Sequence, residues 1–311
     1  MSTDELTPED IREDELSTDT SGRILIIAGS DSSGGAGLQA DIKTCAAFGA
    51  YSACAVTAVT VQNTEGVSAV ELIPADIVRG QIRAVLHDIG ADVIKIGMLG
   101  SAEIAEVVAE EIKNSDAYIV LDPVMVATSG DRLLSEDAVA VIRDKLLPLC
   151  DVVTPNVPEA ALLTGLPVSD AEEMAAAGEA LIKMGAYAAL MKGGHLDMKS
   201  VIDILVTEEG SQIMSGPRLY TRHTHGTGCT LASAVAAGLA LGQPLELAVE
   251  TAREYLFEAI RTAPKFGKGH GPLNHGLADL SASEEGAAPE AKSAEEKTKN
   301  PFAILKGFKT D

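Results

Sequence analysis

The sequence predicts an α/β protein with a mostly parallel central sheet and helices on both faces, in three α/β/α layers. Three observations carry this. Short apolar runs rich in β-branched residues alternate with longer amphipathic stretches from residue 23 to about residue 263. The 311 residues are 46% hydrophobic but 3% aromatic and contain no Trp, so the core must be built largely from Ala, Val, Ile and Leu. The unusual polar residues (Asp31, Gln62-Asn63, Lys95, Asp122, Asn156, Glu159 and Lys192-Gly-Gly194) stand at or just past the ends of the strand-like runs. Open parallel sheets bind their ligands there.

Taken in order, residues 23–28 form a continuous apolar run, as expected of a strand buried on both faces. The run passes directly into Gly29-Ser-Asp-Ser-Ser-Gly-Gly-Ala-Gly37. Leu38, Ile42 and Cys45 then fall on one helical face up to a C-cap at Gly49. Residues 51–61 read as a strand. Residues 74–89 read as an amphipathic helix with Ile77, Ile82, Val85 and Ile89 as its stripe. Strands are expected at 92–96, 117–121, 151–154 and 187–191, and helices at 102–112, 137–147 and 171–184. Residues 201–207, 211–214 and 218–222 read as antiparallel strands, the first pair turned by Glu208-Glu-Gly210. Helices at 229–241 and 245–263 close the series.

Thr224-His225-Gly226-Thr227-Gly228-Cys229 precedes a run of small residues that is helical in composition. Two glycines two apart let consecutive N–H groups converge, and the following helix start adds its unpaired N–H groups and dipole. Such a loop stabilises an anion, most naturally a phosphoryl group in transfer. At the helix start, Cys229 is expected to have its thiolate favoured. The residues alone also fit a glycine turn before a core helix. Residues 29–37 lack both the Gly-Lys-Ser/Thr of a P-loop and the dinucleotide spacing of glycines.

The formal net charge of −22 argues against nucleic acid and anionic membranes as partners, so a phosphate site must rest on local donors. Residues 1–22 hold eight acidic residues against Arg12 and show no apolar period, as expected of a disordered leader. One domain is expected over 23–280 and a polar tail over 281–311, where 302–305 is a short apolar segment. The four cysteines are scattered without a CxxC pair. No signal peptide opens the chain and no apolar run reaches membrane-spanning length, so a cytoplasmic location is expected.

Eight stretches in order resemble the hydroxymethylpyrimidine/phosphomethylpyrimidine kinases of thiamine biosynthesis, within the ribokinase-like superfamily. They are residues 28–43, Gln62-Asn-Thr64, Lys95-Ile-Gly-Met-Leu99, Leu121-Asp-Pro-Val-Met125, Thr154-Pro-Asn-Val-Pro-Glu-Ala160, Leu190-Met-Lys-Gly-Gly-His195, residues 224–229 and Gly267-Lys-Gly-His-Gly-Pro272. Thr128 stands where the family often has Lys, and Leu273-Asn274 replaces the usual Val-His. The resemblance implies a ribokinase-like fold, ATP and Mg²⁺ as cofactors, a small aminopyrimidine substrate and a homodimer.

It also implies site roles. Gly226, Thr227, Gly228 and Cys229 would form the catalytic anion hole, with Cys229 handling the acceptor proton. Gln62, Asp41 and Gly29 would meet the pyrimidine ring, and Lys192 and Lys268 the nucleotide phosphates. Asn156, Glu159 and Asp122 would position the metal, largely through water. The residues alone also fit a salt-bridged Asp41, a solvated Lys268 and a turn-anchoring Asp122. A pyridoxal or pyridoxine kinase of the same fold is the enzymatic alternative. A catalytically silent pyrimidine-binding regulator is the non-enzymatic one.

Overall fold

The structure, a computed structural model, describes residues 22–125, 134–196 and 199–277. The chain opens with β1 (Arg23–Asp31), α1 (Gly37–Ala47), β2 (Tyr51–Asn63), β3 (Gly66–Leu72) and α2 (Ala75–Asp88). Next come β4 (Val93–Ile96), α3 (Ala102–Ile112), β5 (Tyr118–Leu121) and α4 (Glu136–Val141). The α4 helix runs on through a π-helical turn, Ile142–Leu146, and a 3-10 turn, Leu147–Leu149. The second half holds β6 (Val152–Val153), α5 (Val157–Thr164), α6 (Ala171–Lys183), β7 (Ala188–Lys192), β8 (Ser200–Thr207), β9 (Gly210–Pro217), α7 (Thr227–Ala240) and α8 (Leu245–Arg261).

Among the described residues, nine strands form one sheet in the order β3-β2-β1-β4-β5-β6-β7-β8-β9. The six strands from β2 to β7 are mutually parallel, and β3, β8 and β9 are antiparallel additions at the edges. The order reverses at β1, which pairs with β2 on one side and β4 on the other. That reversal opens a crevice at the carboxyl ends of β1 and β4.

Alternate residues of each strand feed two cores. Leu25, Ile27, Ile94 and Ile96 pack toward α2, α3, α4, α5 and α6. Ile24, Ile26, Ala28 and Val93 pack toward α1, α7 and α8. Within β4, Lys95 shares the side of Val93, so a lysine takes a core position facing the α1 and α7 layer.

The parallel alternation, the three-layer arrangement and the hairpin at 208–210 are as the sequence predicts. Four details differ. β3 was not expected; nearly all of it is exposed, so no apolar period announces it. α5 was not expected; it spans eight residues and begins at Asn156, whose amide oxygen accepts from the Glu159 N–H. Residues 218–222 form no strand, because Pro217 ends β9 and Arg218 donates its guanidinium to the Gly194 and Leu196 carbonyls. Ile77 and Ile42 are exposed, since α2 buries Val78 and Ile82 and α1 buries Leu38, Asp41 and Cys45.

All described residues fall within one compact unit. The leader apart from Gly22, Thr128 and the tail from 281, with its apolar segment at 302–305, lie outside the described residues. No described helix is long and apolar enough to cross a membrane.

Candidate active site

Two glycine loops interlock over the carboxyl end of β1. Gly226 caps α7 in the left-handed region, at φ 86°, and a Cβ there would collide with the Gly35 carbonyl. Just before it, the His225 N–H donates to the Gly271 carbonyl at 3.1 Å. The His225 imidazole Nε2 lies 2.8 Å from Asp31 Oδ2. Asp31 also accepts from the Ser33 N–H and hydroxyl and from the N–H groups of Gly35 and Ala36. Burial alone would raise the Asp31 carboxyl, but the bonds from His225 and Ser33 hold it below the usual carboxylate range. A single carboxylate therefore ties the loop after β1 to the loop before α7 through His225.

Beside Gly228 lies a charged cluster from β5, β6 and β7. Lys192 Nζ is 2.8 Å from Asp122 Oδ1 and 4.0 Å from Glu159 Oε2. Thr154 donates its hydroxyl to Asp122 Oδ1 at 3.2 Å. The Lys192-Gly193 turn is braced from behind, where Asp203 accepts from the Gly193 N–H and pairs with Arg253 at 2.8 Å. Burial pushes the Glu159 carboxyl up to about 7 against the pull of Lys192. Burial alone would lower the Lys192 ammonium, but Asp122 and Glu159 keep it above its ordinary value.

The expected Asn-x-x-Glu ligand pair is first of all a reciprocal helix cap. The Asn156 amide oxygen accepts from the Glu159 N–H, and Glu159 Oε2 accepts from the Asn156 N–H at 2.8 Å. Asp122 differs: its Oδ2 is buried with no hydrogen-bond partner, and a Cβ on Gly228 would sit 3.6 Å from it. Among the described residues no group of three His, Cys, Asp or Glu side chains could cage a metal ion. One free buried carboxylate oxygen, with Glu159 near it, fits an ion such as Mg²⁺ that keeps most of its waters.

Cys229 stands in the first turn of α7, partly exposed, with the Gly37 N–H close to its sulfur. Burial pushes the thiol up, and the nearby Lys95 acts against it. Asp41 takes the salt-bridged arrangement that the residues alone also fit. It is fully buried, with Oδ2 on Lys95 Nζ at 2.8 Å and Oδ1 accepting from the Ser233 hydroxyl at 2.7 Å. A ring edge would have to displace one of these bonds, so Asp41 supports the site from behind.

Gln62 is half-buried, with its amide oxygen accepting from Thr60 Oγ1 at 3.1 Å and its amide nitrogen 3.4 Å from His225 Nε2. It thus meets the anion loop. A Cβ on Gly29 would strike the Met98 side chain, so this glycine makes room within the crevice wall. Lys268 is exposed on a loop tied to Thr64. The Gly269 N–H donates to Thr64 Oγ1, the His270 N–H to the Thr64 carbonyl and Arg222 to the Lys268 carbonyl.

His275, which no motif marks in the sequence, bonds to Thr230 Oγ1 at 2.9 Å, and Thr230 adjoins Cys229 in the chain. Burial pushes its imidazole down to about 4. A depressed histidine contributes stability above its unfolded value near 6.5, and this is lost as pH falls toward 4. Lowering the pH from 7 to 5 is therefore expected to cost wild type about 2 kcal/mol more than His275→Gln. Urea melts of both proteins at the two pH values check this, and parallel losses would show that His275 does not carry the effect.

A family model described as phosphomethylpyrimidine kinase matches residues 31–274. The hydroxymethylpyrimidine/phosphomethylpyrimidine kinase of Rhizobium meliloti is 49% identical over 254 residues, covering 81% of this chain and 96% of that protein. The thiamine biosynthesis bifunctional protein ThiED of Geobacter sulfurreducens is 47% identical over 258 residues, and the match covers 83% of this chain and 53% of that longer protein. The crystal structure of phosphomethylpyrimidine kinase from Clostridium difficile superposes with a TM-score of 0.69 at 42% identity, covering 76% of this chain and 99% of that one. Pyridoxal kinase from Staphylococcus aureus, in complex with AMP-PCP and pyridoxal, superposes with a TM-score of 0.78 at 34% identity, covering 84% and 96%.

Proposed function

The chain belongs to the phosphomethylpyrimidine kinase family, and from that premise we propose that it phosphorylates 4-amino-5-hydroxymethyl-2-methylpyrimidine twice at one site, with ATP as donor. The observation that carries this is the convergence of the α7 N-terminus, Cys229 and the Lys192–Asp122 pair on one crevice. In the first transfer the hydroxymethyl oxygen attacks the γ-phosphorus, the bond to the β–γ bridging oxygen breaks and ADP leaves. The hydroxyl proton passes to the Cys229 thiolate, which becomes the thiol. The N–H groups of residues 226–229 hold the phosphoryl oxygens, and Lys192 offsets their charge. In the second transfer an oxygen of the monophosphate attacks in the same way and yields the pyrophosphate.

Mg²⁺, when bound, neutralises charge on the β- and γ-phosphates. Asp122 is proposed to hold it, with Glu159 reaching it through water. Gln62 is proposed to meet the ring edge, and Gly29 to keep the crevice wall clear. A homodimer and a cytoplasmic location belong to the same reading. Exposed Val59 and Val61 on the β2–β3 hairpin offer a second copy an apolar surface.

The test is ADP release from purified protein with ATP and either the aminopyrimidine alcohol or pyridoxal. Preference for the pyrimidine supports the reading. Preference for pyridoxal would favour the alternative suggested by the superposition on a pyridoxal kinase, and no turnover with either would favour a silent regulator.

Lys268 carries a separate expectation. In Lys268→Met, kcat/KM should fall more for the monophosphate than for the alcohol, because a dianionic acceptor gains more from each nearby cation. Equal losses would assign Lys268 to the nucleotide. No loss would leave it a solvated loop charge, as its exposure in the structure suggests.

A further inference from the structure

Helices α1 and α7 face each other through two rungs. Gly37 and Asp41 lie one turn apart on α1, and Cys229 and Ser233 lie one turn apart on α7. In the upper rung the Gly37 N–H lies close to the Cys229 sulfur. In the lower rung the Ser233 hydroxyl donates to Asp41 Oδ1 at 2.7 Å. Lys95 reaches up from β4 to Asp41 Oδ2 at 2.8 Å. Asp41, Lys95 and Ser233 are all fully buried. A lysine in a sheet position that otherwise holds core residues costs several kcal/mol in desolvation, and an apolar pair of similar volume would serve packing as well.

We propose that Lys95, held by Asp41 and Ser233 beneath α7, is a positioning residue that sets how readily Cys229 takes up the acceptor proton. This rests on the phosphoryl-transfer reading of the same site. Four charged groups act on Cys229: Lys95 from β4, Asp41 from α1, Asp122 after β5 and Lys192 from β7. Among those acting on the sulfur, Lys95 exerts a stronger pull than either carboxylate and opposes the effect of burial. Asp41 keeps the ammonium charged, and the Ser233 hydroxyl holds the second oxygen of Asp41. A single ammonium at this place can therefore favour negative charge on Cys229 while remaining out of reach of substrate.

The experiment compares Lys95→Met, the double variant Asp41→Leu/Lys95→Met and Ser233→Ala with wild type. Readouts are Tm, kcat and KM for each substrate, and the rate of Cys229 alkylation by iodoacetamide, read at that residue by peptide mass spectrometry. The single lysine variant should be strongly destabilised because it strands a buried carboxylate. The double variant should regain most of the lost Tm but keep a kcat about tenfold or more below wild type, with KM for ATP unchanged and Cys229 alkylation slowed. Ser233→Ala should give a smaller drop in kcat and alkylation with little change in Tm.

Recovery of both kcat and alkylation in the double variant would overturn the proposal, and so would a Ser233→Ala protein unchanged in both. If wild type fails to phosphorylate the pyrimidine, the functional reading fails. The alkylation comparison still decides whether Lys95 governs Cys229.

Discussion

Cys229→Ala is expected to lower kcat for the first phosphorylation by about 10²–10⁴-fold, the usual cost of losing a proton-transfer group. The KM for ATP should change little. The sulfur sits at the anion loop, whose N–H groups belong to the backbone and survive the substitution. A drop in kcat at constant KM marks an interaction made in the transition state rather than on binding. Burial pushes the thiol up and Lys95 pulls it down, so the thiolate that takes the acceptor proton depends on the positive charge around it. Steady-state rates with saturating ATP check this. Near-wild-type turnover would transfer the whole contribution to the backbone N–H groups and remove Cys229 from the mechanism.

Gly226→Ala is expected to lower kcat/KM by about 10²-fold, as a misplacement near 1 Å can. Two costs combine. A left-handed alanine costs about 1–2 kcal/mol, and its methyl would collide with the Gly35 carbonyl and push the two loops apart. Gly242→Ala separates them, because Gly242 is also left-handed, at φ 81°, yet a Cβ there meets nothing within 4 Å. The Gly242 variant should lose Tm alone, and the Gly226 variant Tm and activity together. Matching activities in the two variants would show that the contact between the loops does not position the anion hole.

The parallel order of the sheet was legible because strands buried on both faces are written as continuous apolar runs, as in residues 24–28. β3 was not, since an exposed edge strand leaves no such trace. α5 was hidden for a different reason. Asn156 and Glu159 suit a metal site and a capping box equally well at the level of residue type, and only backbone geometry shows the box. In α2 the stripe through Ile82 and Val85 is as the sequence predicts, but its first member is Val78 rather than the exposed Ile77. At the site, the glycine loop and Cys229 stood out by local chemistry. The Asp41–Lys95 pair did not, because its partners lie 54 residues apart and meet only through packing. The desolvation that opposes the helix start at Cys229 is likewise invisible until the chain is folded.

The contacts that close the crevice join the two ends of the domain: Asp31 to His225, 194 residues apart, and Asp41 to Ser233, 192 apart. Most sheet neighbours, by contrast, lie within a few tens of residues of one another. Loop closure over such a separation is entropically late, and contacts of this range slow folding. During synthesis β1 to β7 can pair while α7 is still unmade. The N-terminal glycine loop must therefore wait, with the Asp31 carboxylate lacking its histidine and Lys95 facing an uncovered layer. The site is therefore complete only once α7 has docked and the segment at Gly271 has reached His225.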